Sequence, residues 1–107
     1  MRANAVELTA EAAWFLADSL GAGSFPWVLA VTPPFRDMAQ RAEFEADQAE
    51  RLRRLGVMTA DRTVDPFVAQ WIRTVCRPSQ WLELRFVAGR GAILRGIIAR
   101  NPAGTVV

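Results

Sequence analysis

The fold is decided by the stretch Val64-Asp-Pro-Phe-Val-Ala-Gln-Trp-Ile-Arg-Thr-Val-Cys-Arg-Pro-Ser-Gln-Trp-Leu-Glu-Leu-Arg-Phe86. Asp65 is of a residue type that caps helix N-termini, and Pro66 suits the first helical position. Pro78 ends the helical pattern. Between the two prolines, apolar side chains recur at the spacing of one helical face: Phe67, Val68, Trp71, Ile72 and Val75. The first part of the stretch therefore predicts an amphipathic helix that packs one stripe against a core.

After Pro78 the hydrophobic period changes from that of a helix to that of a strand. Residues 81–87 alternate between two faces. One face holds Leu82, Leu84 and Phe86, and the other holds Trp81, Glu83, Arg85 and Val87. Because the first set is wholly apolar, we expect it to face the core. Trp81 is then the exposed aromatic residue of this strand.

The rest of the chain predicts an antiparallel meander. Ala88-Gly89-Arg90-Gly91 is typical of a hairpin connection, and residues 92–100 follow as a second strand. Residues 101–104 form a turn, and Thr105 begins a third strand.

Two further helices are predicted in the N-terminal half. Thr9 is a good N-cap for a helix over residues 10–20 that Gly21 ends, and a longer charged helix spans residues 37–55. The short apolar run at residues 27–31 fits either a buried strand or a helical turn, and the pattern does not decide between them. We expect residues 1–107 to form a single α+β domain. Its C-terminal antiparallel meander would pack against about three helices.

Composition narrows the class of protein. Hydrophobic residues make up 51% of the chain and charged residues 22%, the balance of a folded globule. No apolar run reaches the length of a membrane span, and residues 1–7 show no signal-peptide pattern. Cys76 is the single cysteine, so no internal disulfide can form. These features predict a cytoplasmic protein with no membrane contact.

The residues that most active sites require are missing. The chain has no histidine and no tyrosine. Cys76 is the one strong nucleophile, and it lies at the end of a predicted helix, where the helix dipole disfavours a thiolate. The carboxylates of residues 37–55 are interleaved with arginines, as on a solvated helix face. We therefore expect no catalytic residue, no metal, no cofactor and no enzymatic activity.

Charge and aromatic residues favour a binding protein. Residues 1–50 carry three arginines and eight acids, a net charge of −5; residues 51–107 carry ten and three, a net charge of +7. A basic half can meet an acidic protein surface or a nucleic acid. Trp81 shares its strand face with Glu83 and Arg85, an arrangement typical of a protein-binding anchor unless a helix covers it. With Phe86 assigned to the core, stacking of nucleic-acid bases is the less favoured alternative.

Several segments together resemble one known family. The order and spacing of these segments resemble the N-terminal part of the EspG family: Leu20-Gly-Ala-Gly-Ser-Phe-Pro-Trp-Val-Leu-Ala30, then Arg54-Leu-Gly-Val57, Val64-Asp-Pro66, Trp71, Val75-Cys-Arg-Pro78 and Trp81-Leu-Glu-Leu-Arg85. The resemblance implies an α+β protein of two similar halves. It also implies a non-enzymatic cytosolic chaperone or adaptor of type VII (ESX) secretion that binds a PE–PPE heterodimer at the tip of the PPE protein.

The resemblance also implies where a partner binds. In the family, contacts come from the sheet, the loop between its early strands and helices of the second half. By position, that loop corresponds to Ala88, Gly89, Arg90 and Gly91, and one sheet face to Trp81, Glu83 and Arg85. The chain would be the N-terminal half of a longer EspG-like protein. Two such halves can also pair as a homodimer through the unfinished sheet edge, where the third strand has only just begun at Thr105. The alternatives are a self-associating structural module and a small basic nucleic-acid-binding domain.

Overall fold

The computed structural model describes residues 5–34, 36–87 and 89–107. Within these ranges three α-helices precede a three-stranded antiparallel sheet of order β1-β2-β3. The elements are α1 (Ala10–Leu20), α2 (Met38–Arg54), α3 (Pro66–Cys76), β1 (Gln80–Val87), β2 (Ile93–Asn101) and β3 (Gly104–Val106). The predicted α+β class with a C-terminal meander is confirmed.

Local capping explains where the helices begin and end. The Thr9 hydroxyl accepts a hydrogen bond from the Ala12 amide at 3.1 Å at the start of α1. The Asp65 carboxylate accepts bonds from the first amides of α3, with N···O distances of 3.0 and 3.1 Å. Gly21 ends α1 at a φ of 61°, a backbone conformation that side chains disfavour. These are the residues from which the sequence predicted the helix boundaries.

The segment that the sequence left open is a helical turn. A 3₁₀ turn covers Trp27–Leu29 and buries Val28 beneath the sheet. Trp27 points away from the core and is 96% exposed.

The core has two parts. The helices and the loop after α2 enclose the larger part, whose most deeply buried side chains are Phe15, Leu16 and Leu52. The smaller part lies between the sheet and the elements beneath it, and consists of Val28, Val75, Ile97 and Ala99. The sheet is therefore covered only near the β2–β3 end, on the side where α3 and the 3₁₀ turn lie.

The strand register shows which face of the sheet meets the helices. Directly opposed residues in an antiparallel pair share a face. Buried Ile97 is opposite Glu83, and buried Ala99 is opposite both Trp81 and Val106. The face that carries Trp81 and Glu83 is therefore the one against the helices. We call it the helix-side face; it comprises Trp81, Glu83, Arg85, Val87, Ile93, Arg95, Ile97, Ala99 and Val106.

The prediction that Leu82, Leu84 and Phe86 face the core is wrong. They lie on the other side of the sheet with Leu94 and Ile98, and most of them are exposed. We call this side the open face; it comprises Gln80, Leu82, Leu84, Phe86, Leu94, Gly96, Ile98, Arg100 and Thr105. The physical reason is that β2 places its buried residues Ile97 and Ala99 on the helix-side face, and Val75 of α3 packs against them.

A buried hydrogen-bond chain fixes the sheet to α3. Asn101 donates through Nδ2 to the Thr74 hydroxyl at 2.9 Å, and that hydroxyl donates to the Gln70 carbonyl at 2.8 Å. The Ser79 amide donates to the Arg100 carbonyl at 2.8 Å, which joins the start of β1 to the end of β2. The sheet is thus anchored at one end, and its hairpin end extends beyond the helices.

Candidate functional site

The open face presents a continuous apolar surface to solvent. Phe86 and Leu94 are opposite each other and each is 64% exposed; Leu82, beside Ile98, is 63% exposed, and Leu84 is 42% exposed. Contiguous apolar patches of this kind are uncommon on soluble monomers, and they mark sites of interaction. The open face is therefore the candidate functional site.

The shape and charge of the open face are simple. Gly96 lies opposite Leu84 and has no side chain, and a Cβ built on it would be 3.8 Å from the Leu84 side chain. Between the Leu82–Ile98 row and the Phe86–Leu94 row, the face therefore carries one side chain, that of Leu84. Among the described strand residues, the one charge on this face is Arg100, whose Nη2 donates to the Gln80 side chain. The centre of the face is thus apolar, and its polar groups lie at the end next to β3.

The helix-side face differs because its hairpin half is charged. Arg85 and Arg95 are directly opposed across β1 and β2, which is an unfavourable pairing of like charges. Oε2 of Glu83 lies 3.4 Å from Nη1 of Arg85, and this ion pair partly offsets the repulsion between the two arginines. Both members of this ion pair are well exposed to solvent, so the pair contributes little to stability.

The predicted site residues Trp81, Glu83 and Arg85 all lie on the helix-side face. Trp81 is 57% exposed, and with Glu83 it lines a groove of about 360 Å³ together with Trp27 and two prolines. The prediction that Trp81 is the exposed aromatic residue of this strand, with Phe86 in the core, is wrong because Phe86 is the more exposed of the two. The helices beneath the sheet cover its neighbour Ala99 completely but leave the indole accessible.

The predicted partner-binding loop is a tight connection at the hairpin end. Gly89–Gly91 form a short kinked turn whose central residue, Arg90, is not helical, and Ala88 lies outside the described residues. Arg90 and Gly91 have φ angles of 69° and 76°, in the left-handed region that favours glycine. Arg90 is exposed in this turn. The connection therefore places a positive charge at the hairpin end of the sheet, where the open face ends.

Among the described residues, burial, hydrogen bonds and nearby charge shift the pKa of only a few ionisable groups. Burial raises the pKa of the Cys76 thiol to about 11, with the charge of Arg77 acting weakly in the opposite direction. In the part of the chain that the structure describes, no three acidic, histidine or cysteine side chains gather where a metal ion could bind. Over the same residues, none of the helices has both the length and the apolar character that crossing a bilayer requires.

Ion pairs on the outer surface of α2 perturb two further groups, Glu50 and Arg53. Arg53 and Arg54 donate to the Glu50 carboxylate over distances of 2.8 to 3.1 Å. The hydrogen bonds from Arg53 are the main reason that the pKa of Glu50 falls to about 2. These groups are solvated, as the interleaved charges of the sequence predicted.

Comparison with known proteins identifies the family. The sequence profile of the EspG family matches residues 9–107. The chain belongs to the EspG family. Two relatives carry the name ESX-3 secretion-associated protein EspG3. The protein of Mycolicibacterium smegmatis is 60% identical over 107 residues, which is all of this chain. The protein of Mycobacterium tuberculosis is 48% identical over 101 residues, which cover 90% of this chain.

The chain matches only part of each relative. It spans 36% of the length of the first relative and 34% of the second, about a third in both cases. The family resemblance noted in the sequence is confirmed, and it covers nearly the whole chain.

The open face was missed as a surface by reasoning from sequence. The available signal was β2, in which Ile93 and Leu94, and then Ile97 and Ile98, place apolar side chains on both faces of one strand. A strand that is apolar on both sides needs cover on both sides. Since the predicted helices can cover only one face, the other had to be free for a further contact.

Proposed function

We propose that this EspG-family chain is a non-enzymatic, cytoplasmic chaperone or adaptor of type VII (ESX) secretion. It binds a PE–PPE heterodimer at the apolar tip of the PPE protein and keeps that tip from aggregating. Support comes from the family identity and from the names of the two relatives. The observation that carries the proposal is the open face, because an apolar tip requires an apolar surface to cover it.

The open face supplies part of the binding free energy. Four apolar side chains of the open face are about half exposed: Leu82, Leu84, Phe86 and Leu94. Burying the exposed part of each side chain contributes about 1–2 kcal/mol to the free energy of binding. Association costs about 4–15 kcal/mol in lost translational and rotational freedom. The four side chains alone therefore do not give tight binding, and contacts around the edge of the face must add to them.

Those additional contacts are the ones that the sequence predicted. The turn at residues 89–91, with Arg90 at its centre, lies at the hairpin end of the open face. The helix-side face of β1 carries Trp81, Glu83 and Arg85. A client that wraps around the hairpin would meet both sets. Charged groups around an apolar contact govern partner choice and association rate more than affinity. In this proposal the apolar face gives the affinity, and the charged groups give the specificity.

The proposal is tested by co-expressing the chain with PE–PPE pairs from the two organisms of its relatives, followed by affinity capture. The M. smegmatis relative serves as the positive control, since this chain spans 36% of its length. Capture of one pair at a fixed stoichiometry supports the proposal. If the relative captures a pair and this chain captures none, the client does not bind through this part of the family fold.

Adjacent substitutions separate the two faces. Leu84→Asp places a charge in the middle of the open face and is expected to abolish capture. Arg85→Glu, one residue away on the helix-side face, is expected to change partner choice or association rate. Trp81→Ala tests the groove, with circular dichroism to check the fold. Loss of capture with Trp81→Ala and normal capture with Leu84→Asp would contradict the assignment to the open face.

A specific observation also favours a homodimer through the sheet edge. In the described sheet β1 pairs only with β2, so its outer edge of eight residues has free backbone groups. A second copy can pair with this edge in antiparallel fashion. A monomeric mass by light scattering at high protein concentration would contradict this edge pairing.

A further inference from the structure

The chain exposes more surface than a compact protein of its mass. Its accessible area is 7706 Å², whereas a folded monomer of 11.9 kDa exposes about 6,000 Å². Its radius of gyration is 14.6 Å, against about 13 Å for a compact chain of 107 residues. The excess of roughly 1,700 Å² is about twice what one partner buries in a standard interface.

We propose that two copies of this chain pack open face against open face, with their helices on the outside. The open face has three apolar rows: Leu82–Ile98, Leu84–Gly96 and Phe86–Leu94. The proposed twofold axis lies midway between the two sheets and runs perpendicular to the strands, along the middle row. Rotation about this axis places the first row of one copy over the third row of the other. The face is therefore complementary to itself in the way that a twofold interface requires.

The middle row carries a single side chain. Gly96 has none, and the Leu84 side chain lies 3.8 Å from the position that a Cβ on Gly96 would take. The larger side chains of the outer rows, Phe86 above all, can insert on either side of that row. Two stacked sheets pack about 10 Å apart with their side chains interleaved in this manner.

Charge is compatible with a second copy. The open face of the described sheet carries no acidic side chain, and Arg100 is at its β3 end. The proposed axis places the two Arg100 side chains at opposite ends of the dimer, each near the hairpin end of the other copy. The two Arg100 groups therefore do not meet each other. Each one does approach the exposed Arg90 of the partner copy's hairpin, an unfavourable pairing of like charges that solvent and salt screen.

Burial distinguishes face packing from edge pairing. Two β1 edges that pair side by side satisfy backbone groups, but leave Leu82, Phe86 and Leu94 in water. Face packing removes those side chains from water, and the hydrophobic effect is the larger driving force in association. A client of the proposed function would compete for the same face. The dimer is tested without a client, so its failure leaves the proposed function unaffected.

Light scattering on the purified chain tests the proposal. We expect a mass twice 11.9 kDa at high concentration. Phe86→Asp is expected to give a monomer, whereas Val87→Asp, on the next residue and the helix-side face, stays a dimer. The two wild-type residues are 64% and 70% exposed, so neither change disturbs the core, and circular dichroism verifies the fold. A monomeric wild-type chain, or equal masses for the two variants, would overturn the proposal.

A cross-link separates the face from the edge. In a Cys76→Ser background, Gly96→Cys places a thiol at the centre of the open face, near the proposed axis, and no backbone strain opposes it. A bis-maleimide shorter than about 10 Å should join two copies across the sheets. In an edge-paired dimer the two β2 strands are three strand spacings apart, roughly 14 Å, and the linker does not reach.

The neighbouring variant Arg95→Cys is the matched control. Its thiol is on the same strand but on the helix-side face, so a face-to-face dimer does not cross-link there. Cross-linking at residue 96 and not at residue 95 supports the proposal. A dimeric mass without cross-linking at 96 favours the edge and overturns it, and equal cross-linking at both positions indicates random collision and overturns it as well.

Discussion

Phe15 and Phe86 are the same residue type in two regions of one small protein, and they have opposite surroundings. Phe15 lies in the helical core at 2% exposure, edge-on to Phe44, while Phe86 is on the open face at 64% exposure. Both segments satisfy the apolar period of their secondary structure. The difference shows that an apolar pattern identifies a face to be buried, but not whether this chain buries it. The helical region completes its own core, and the sheet leaves one apolar face exposed.

The largest effect expected from this comparison is on stability. Phe15→Ala should lower the free energy of unfolding by about 3–5 kcal/mol, because it opens a cavity in the core. Phe86→Ala should change it by less than about 0.5 kcal/mol in the monomer. Thermal unfolding followed by circular dichroism at low concentration, where no dimer contributes, measures both. Similar losses for the two variants would mean that Phe86 is covered by this chain.

The hydrogen-bonded joint between the two regions gives the next effect. Thr74→Val keeps the shape of the side chain but leaves the Asn101 amide without its acceptor inside the protein. We expect a loss of about 1–3 kcal/mol. Asn101→Ala alone and the double variant complete a thermodynamic cycle. If the two losses simply add, the bond does not couple α3 to the sheet.

Helix capping should matter less. Asp65→Ala removes the acceptor for two amides at the start of α3 and should cost about 1 kcal/mol. Asp37→Ala is the matched control, since Asp37 caps α2 through the Gln40 amide at 2.9 Å. Urea unfolding is the measurement. A much larger loss at Asp65 would show that α3, which lies against both parts of the core, also limits the stability of the sheet.

The solvated surface of α2 should give the smallest effect. Because the pKa of Glu50 is lowered to about 2 from 4.5, its ion pairs stabilise the fold above pH 4.5, and this contribution is lost as the pH falls through 2. Glu50→Gln should produce only a slight decrease in melting temperature at neutral pH, and none at high ionic strength. Carboxyl NMR titration checks the pKa directly, and a midpoint near 4.5 would contradict the ion-pair geometry.

Features that depend on nearby residues were predictable from the sequence. Thr9, Gly21 and Asp65 act through hydrogen bonds and backbone angles within a few residues of themselves, so the helix ends follow from local chemistry. The hairpin and the third strand follow from glycine and proline in the same way. The absence of histidine and tyrosine required no structure at all.

The orientation of the sheet was not predictable in this way. Alternation along β1 separates Leu82 from Glu83, but both faces are equally consistent with a strand. Which face is covered depends on how α3 connects to β1 and on Ile97 and Ala99 of the second strand, contacts that are distant in sequence. The exposed position of Trp27 is equally non-local, because it depends on the sheet that packs over Val28.

The measurement that tests this account most directly is hydroxyl-radical footprinting of Phe86 and Phe15, read by mass spectrometry at a concentration where the chain is monomeric. The two side chains have the same intrinsic reactivity, so their oxidation rates compare their exposure. In the monomer we expect Phe86 to be oxidised nearly as fast as in the unfolded chain, while Phe15 is protected. A bound partner should then protect Phe86 as well. Equal protection of both residues in the monomer would contradict the open face.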